Sequence, residues 1–372
     1  MVSSSSPGHL PSYTAQAVKA ALLDAGATGT IYSLVMPESE AALAWVVDGG
    51  ARQQRADFLD LYREPWTQKQ DAMHEAYFER WIGWAAPVVG SDPAAFPFRY
   101  PTAGASEGIF RLMAEYAAEC RAAGREPSIH LFEGEYEGLP AYAQALGLRI
   151  VRHDRTAWRE VPAAVAPHGL FWISQPSAID GMVWPHFEAF AAALAETRPE
   201  AELIPDLTYV GSVARDFRAA LDFPNVPAFV ISHSKPFGGY YHRVGGVFAR
   251  AERPSLFGNK WFKNLQSLAW ATELMARHGV YGLPRKYRPV QEEAARRVGA
   301  ALGLGTLAPA DVLLLGTAPA ADARPPLDAV LRGSPKEQVI RLCLTPAMTC
   351  LIDPDMAPAT APALAARWQQ QP

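Results

Sequence analysis

Lys235 closes the segment Ser232-His233-Ser234-Lys235, directly after the apolar run Ala228-Phe229-Val230-Ile231, and Arg243-Val244-Gly245-Gly246 follows shortly after. An apolar run of that length reads as a buried strand, so the lysine stands at a strand end. A charge is costly to bury there unless chemistry uses it. Desolvation lowers an amine's pKa, and the neutral amine can form a Schiff base with a carbonyl. Alone, Lys235 would read as a surface lysine in a turn. Three other segments give it company. Thr102-Ala103-Gly104-Ala105-Ser106-Glu107-Gly108 opens a helical stretch with small residues, which leaves backbone N–H groups free to face an anion, with the Ser106 hydroxyl as a further donor. Read by itself, that segment would be an ordinary helix cap through Ser106. Tyr136, in Glu133-Gly134-Glu135-Tyr136-Glu137-Gly138, offers an aromatic face to a planar ring. Asp206-Leu207-Thr208-Tyr209 places a carboxylate and a phenol after the run Leu203-Ile204-Pro205. A carboxylate there could pair with a protonated ring nitrogen. Ser232 and Arg243 complete an anion grip, arginine being suited to bidentate contact with phosphate.

The elements that must position these groups are legible as alternation. From about Pro101, short apolar runs alternate with Ala-rich helical stretches: Ile129-His130-Leu131-Phe132, Leu148-Arg149-Ile150-Val151, Gly169-Leu170-Phe171-Trp172-Ile173, Glu202-Leu203-Ile204-Pro205 and Ala228-Phe229-Val230-Ile231. This pattern predicts an α/β domain with a mostly parallel sheet sandwiched by helices. Ligands of such sheets bind beyond the carboxyl ends of the strands, where most of these polar groups fall. A smaller α+β domain is expected to follow, beginning with a long helical stretch through Trp261 and Trp270 and ending with strands at Asp311-Val312-Leu313-Leu314-Leu315 and Val339-Ile340-Arg341-Leu342-Cys343-Leu344. The expected division is 1–60 as an N-terminal arm with part of the small domain, 61–253 as the large domain and 254–372 as the small domain. The 372 residues, 49% hydrophobic and 19% charged, suffice for large cores. A net charge of −4 without a basic run argues against nucleic-acid binding and polybasic membrane docking. Cys120, Cys343 and Cys350 lack CxxC spacing, which fits a reducing cytoplasm and offers no metal site. No apolar stretch approaches transmembrane length, and no basic region followed by an apolar core opens the chain.

In this order the segments resemble the fold-type I pyridoxal-phosphate enzymes, in particular the aspartate-aminotransferase-like family. The shared pattern is Gly-Ala-Ser/Thr-Glu, an aromatic after the next strand, Asp-x-x-Tyr, and Ser-x-x-Lys with an arginine eight residues on. It runs from about residue 100 to 246, and Arg341 resembles the family arginine that grips the substrate α-carboxylate. The resemblance implies pyridoxal 5′-phosphate held as a Schiff base by Lys235, with Asp206 keeping the ring nitrogen protonated. Tyr136 would stack on the ring and Tyr209 would bond its phenolic oxygen. Gly104, Ala105, Ser106, Ser232 and Arg243 would hold the phosphate. It further implies an α-amino acid substrate, transamination, and a homodimer whose sites are completed across the interface, for which Lys260, Lys263 and Arg285 are candidates.

One segment departs from the pattern. Where the family carries Asn-Pro-x-Asn-Pro-Thr-Gly, this chain has Gln175-Pro176-Ser177-Ala178-Ile179-Asp180-Gly181, so the usual asparagine falls on Ala178. Gln175, Ser177 or a water is expected to substitute. The departure keeps a second reaction type in view: replacement, cyclisation or C–C bond formation at Cβ or Cγ, with S-adenosylmethionine as one such substrate. Trp66, Trp81, Trp84 and Trp261 are compatible with an aromatic mouth for a large substrate, although such residues are more often core. Gly104-Ala105-Ser106-Glu107-Gly108 also fits the Gly-x-Ser-x-Gly elbow of α/β-hydrolases, with Ser106 as nucleophile, Asp206, and His233 or His242. That reading lacks a good strand before Ser106 and leaves Lys235 and Arg243 unexplained. A non-catalytic binding protein on the same fold is disfavoured by the completeness of the lysine, aspartate and phosphate set.

Overall fold

The computed structural model describes residues 16–48, 71–262, 264–325 and 327–354. Seven strands form the main sheet: β1 (Phe98–Thr102), β2 (Ser128–Phe132), β3 (Arg149–His153), β4 (Leu170–Ser174), β5 (Glu202–Asp206), β6 (Ala228–Ser232) and β7 (Gly245–Ala249). Their order is β1-β7-β6-β5-β4-β2-β3. The pairs from β6 through β5, β4 and β2 to β3 are parallel, whereas β7 runs antiparallel to both β6 and β1. Central strands are apolar almost throughout because both faces are covered. Alternate residues serve opposite cores: Leu170, Trp172 and Val230 pack with the helix Ala105–Ala122, while Phe171, Ile173, Phe229 and Ile231 join the core on the other face. The helices Asp71–Ala85 and Phe187–Thr197 supply that second core through Tyr77, Phe78, Trp81, Phe187 and Phe190.

A second sheet of four antiparallel strands comprises β8 (Ala308–Pro309), β9 (Leu315–Pro319), β10 (Leu331–Arg332) and β11 (Val339–Cys343), in the order β10-β11-β9-β8. The helices Gly282–Leu302 and Thr345–Ile352 pack with it. The N-terminal helix Gln16–Asp24 leads to Thr28, whose backbone bridges Cys343 at the end of β11. Gln291 is fully buried and its Nε2 donates to the carbonyls of Ala310, Val312 and Leu315, which curls that segment into a turn. Among the described residues, no helix is long and apolar enough to cross a membrane.

Three sequence expectations shift. The run Phe96-Pro97-Phe98-Arg99-Tyr100-Pro101, a poor strand by composition, contributes β1. Its proline is tolerated because β1 lies at the sheet edge, where a missing N–H breaks no internal ladder. The strand expected at Asp311–Leu315 begins instead at Leu315, because the preceding residues form the turn held by Gln291. The stretch from Pro254 is not one long helix but a 3₁₀ segment, Pro254–Trp261, then the helix Leu265–Arg277. The first lies against β1 and the helix Ala105–Ala122; the second lies against the helices Pro37–Asp48 and Asp71–Ala85.

Close backbone approach joins the strand ends. A Cβ on Gly245 would lie 2.3 Å from the Ile231 carbonyl oxygen and 3.0 Å from the Gly104 Cα. Gly245→Ala should therefore destabilise the fold by about 1–3 kcal/mol, the usual cost of overpacking. Urea unfolding checks this, and an unchanged midpoint would show that β6 and β7 separate freely.

Candidate functional site

A cavity of about 230 Å³ opens at the carboxyl ends of β4, β5 and β6, beside the start of the helix Ala105–Ala122. The residues that the resemblance assigns to cofactor and substrate line it, Gly104 excepted: Ala105, Ser106, Tyr136, Asp206, Tyr209, Ser232, Lys235, Arg243 and Arg341. Gly104 immediately precedes Ala105. This glycine caps the helix at φ +82°, and a Cβ there would lie 2.8 Å from a terminal nitrogen of Arg243. Ser106 is not the helix cap, and Gly104, which is, makes no side-chain cap bond. The Ser106 hydroxyl instead lies 3.5 Å from that of Tyr136.

Arg243 donates from Nη2 to the Ala103 carbonyl (2.8 Å) and adopts φ +47°, a left-handed conformation that costs energy for a residue with a Cβ. Its guanidinium, the Gly104 turn and the open helix start form one electropositive end of the cavity. Ser232 Oγ accepts the Ser234 N–H (3.1 Å), which curls the chain toward Lys235. Lys235 Nζ donates to the Ile31 carbonyl (2.8 Å) and makes no salt bridge among the described residues. Burial pushes its pKa down to about 8. Cys343 opposes that shift, and Arg341 and Arg243 reinforce it.

Asp206 is buried, and its Oδ1 accepts from the Thr208 backbone N–H (2.9 Å) and hydroxyl (2.5 Å). Burial nonetheless raises its pKa to about 6. Tyr136 packs tightly over Gly138, where a Cβ would lie 2.3 Å from the ring. Burial lifts the Tyr136 phenol to about 12 and raises that of Tyr209 as well, so both stay protonated donors. Arg341 reaches in from β11, 3% exposed. It donates to the carbonyls of Ala178 and Gly29, its pKa is lowered by burial, and its Nε has no hydrogen-bond partner among the described residues.

Sequence reasoning missed the segment Thr30-Ile31-Tyr32, which closes one wall, and also Ser174, Thr208, Ser234 and Tyr240. Nothing local marks the first of these: it reaches the cavity only because Thr28 bridges β11 and Ser33 bonds the Ser234 carbonyl.

Other expectations are corrected. Neither Gln175 nor Ser177 replaces the missing asparagine. Gln175 is spent on both backbone groups of Trp184, and Ser177 accepts from Arg155 and from the Ile179 N–H. Ala178 does line the cavity and brings no donor. The hydrolase arrangement does not assemble, because His233 shares its Nε2 bond with the Tyr77 hydroxyl and His242 stacks on Trp270. Neither histidine lines the cavity with Ser106. Trp81 and Trp84 are core residues, Trp261 is 59% exposed away from the cavity, and Trp66 lies outside the described residues. Lys260 sits over the Phe257 ring and Arg285 pairs with Asp216, whereas Lys263 lies outside the described residues.

No protein-family model and no curated protein matches the sequence. Solved structures do match. One is an Escherichia coli protein with a methionine aminotransferase function, at 17% identity and TM-score 0.64, covering 94% of this chain and 99% of that one. Another is the histidinol-phosphate aminotransferase of Sinorhizobium meliloti in complex with pyridoxal-5′-phosphate, at 18% identity and TM-score 0.60, covering 90% and 92%. A third is a PLP-bound C–S lyase from Staphylococcus hominis, at 13% identity and TM-score 0.55, covering 74% and 77%. This chain has their fold. That likeness is one of backbone, and it spans both an aminotransferase and a lyase.

The amine at the centre of this cavity can be titrated. Because burial disfavours the ammonium, Lys235 should become reactive as pH rises through about 8 rather than through the ordinary lysine value of 10.5. Site-resolved acylation followed by mass spectrometry measures the midpoint, and a value near 10.5 would place the amine in water.

Proposed function

We propose that this protein is a pyridoxal-phosphate-dependent enzyme acting on an α-amino acid, most simply an aminotransferase. The observation that carries the reading is one cavity lined by a desolvated lysine, a buried aspartate, two tyrosines, an anion cradle and a buried arginine whose Nε has no partner. Each group fits one part of the cofactor. The Gly104 turn, Ser106, Ser232 and Arg243 suit a phosphate, Asp206 suits a protonated ring nitrogen, and Tyr136 offers a ring face. When bound, the cofactor supplies an electron sink for the bond broken at the substrate α-carbon.

The chain's own groups do the rest. Lys235 Nζ would hold the cofactor and would carry a proton at that carbon. Asp206 Oδ1 is held by Thr208, so its carboxylate keeps a fixed direction toward the cavity. Tyr209 brings a protonated hydroxyl. Arg341 orients the substrate by its carboxylate, and Ile31 and Tyr32 shield the site from water. A homodimer belongs to the same reading, with the exposed Tyr241, Phe257 and Trp261 available for burial.

A second reading, replacement or bond formation at Cβ or Cγ, is favoured by Ala178. The cavity gains no donor where the resemblance calls for an asparagine. Stoichiometric release of a 2-oxo acid in a single turnover separates the two, since transamination requires it.

Borohydride reduction of the cofactor-loaded protein should label Lys235 and no other lysine, as read by peptide mapping. Label elsewhere sinks the assignment. Arg341→Ala should weaken binding of the amino acid substrate by about 2–5 kcal/mol, the cost of leaving a carboxylate without its buried partner. Substrate titration of the cofactor spectrum measures it, and an unchanged dissociation constant would place the carboxylate elsewhere.

A further inference from the structure

Behind the cavity lies an acid that the reading above does not use. Glu135 precedes the ring-facing Tyr136 and is 5% exposed. Its Oε1 accepts the Ser174 N–H (3.1 Å), and its Oε2 accepts the Ser174 hydroxyl (2.7 Å) and the Tyr136 N–H (3.2 Å). Ser174 and Tyr136 both line the cavity. Gly134, at φ +91°, makes the turn that aims this carboxylate inward, because a side chain there would strike the backbone of Gly333 at 2.5 Å. The charged and titratable groups that face Glu135 are Asp206 from β5, Tyr209 from the turn after β5 and Arg341 from β11.

We infer that Glu135 is a positioning residue with two effects on the ring site: its three hydrogen bonds fix Tyr136 and Ser174, and its charge reinforces that of Asp206 toward a cationic ring. The inference rests on the pyridoxal-phosphate reading. Two carboxylates in one dry site do not both ionise freely, so the pair tends to retain a proton until further positive charge arrives. Burial raises Glu135 to about 7, opposed by its hydrogen bonds and assisted by the Asp206 charge. A protonated ring nitrogen lowers it again, so binding releases a proton and tightens as pH rises through about 7.

The probe is pyridoxamine 5′-phosphate, which cannot form an imine with Lys235; the lysine's own titration is common to every variant and cancels in the ratios. The probe's affinity for the apo-protein is measured from pH 6 to 8 in the wild type, Glu135→Gln and Ser174→Ala. Phosphate ionisation is common to all three and cancels in the ratios. The affinity ratio of wild type to Glu135→Gln should grow by up to about tenfold across that range, one pKa unit being a factor of ten. Ser174→Ala loses a hydrogen bond that holds the Glu135 pKa down but keeps the charge, so its affinity should still rise with pH, with the midpoint moved to higher pH. Parallel profiles for wild type and Glu135→Gln would overturn the inference while leaving the cofactor reading intact. No binding by the wild type would overturn both. Calorimetry in buffers of different ionisation enthalpy at pH 7 should show the wild type releasing up to about half a proton more than Glu135→Gln. Where Glu135→Gln fails to fold, Glu135→Ala serves as the comparison, and equal proton release by the two proteins overturns the inference.

Discussion

Burial of like and unlike charges in and just behind one small cavity is the constraint that organises this molecule. Lys235, Arg341, Asp206 and Glu135 all leave water on folding, and none of them closes an ion pair with another by direct contact. Lysine and arginine donate to carbonyls, while the acids accept from hydroxyls and backbone N–H groups. Such an arrangement is costly in isolation, because desolvation is only partly offset. The pKa shifts express that cost: the amine is lowered and both acids are raised. A ligand carrying phosphate, carboxylate and a protonated ring would supply the missing counter-charges, and its binding would stabilise the folded state.

The fold holds these charges in place from both sheets. Arg341 comes from the small sheet, but its guanidinium is aimed by the carbonyl of Ala178, a residue of the loop after β4. That loop is fixed by Arg155, which pairs with Asp180, bonds Ser177 and reaches Glu337 near β11. Asp154 adds bonds to Ser334 and Lys336. Together these partly buried pairs tie the two sheets across the cavity. Their contribution lies in register more than in net stability, since buried ion pairs gain little over apolar packing. The segment whose composition departs from the Asn-Pro pattern is thus still a positioned element. Its polar side chains have been turned to structural bonds, and only an alanine faces the cavity.

Much of this was legible in the residues. The strand-end placement of Asp206 and Lys235 followed from apolar runs of the right length, and the sheet's parallel centre followed from their alternation with helical stretches. Edge elements were harder to read. β1 contains two aromatics, an arginine and a proline, a composition that succeeds only because an edge strand needs one ladder rather than two. The Asp311–Leu315 run looked like a strand because apolar content alone does not distinguish a strand from a buried turn, and the side chain that decides it, Gln291, lies on a distant helix. Trp81 and Trp84 bury large surfaces in the core, the commoner fate of such residues, since a sequence does not state which face of a helix meets a cavity.

By itself the sequence determined the chemistry's vocabulary: an amine, an acid and two phenols, each placed after an apolar run, and two arginines, with glycines where the backbone must turn tightly. Those are local properties, set by side-chain type and spacing. Only the tertiary structure decided which groups share one cavity, because convergence requires strands far apart in the chain to end side by side. It also decided that Thr30, Ile31 and Tyr32 wall the site, that Gln175 and Ser177 turn away from it, and that Glu135 stands behind Tyr136. A lysine's basicity and an aspartate's acidity depend on the water removed around them, and that removal is a property of the packed fold rather than of any segment.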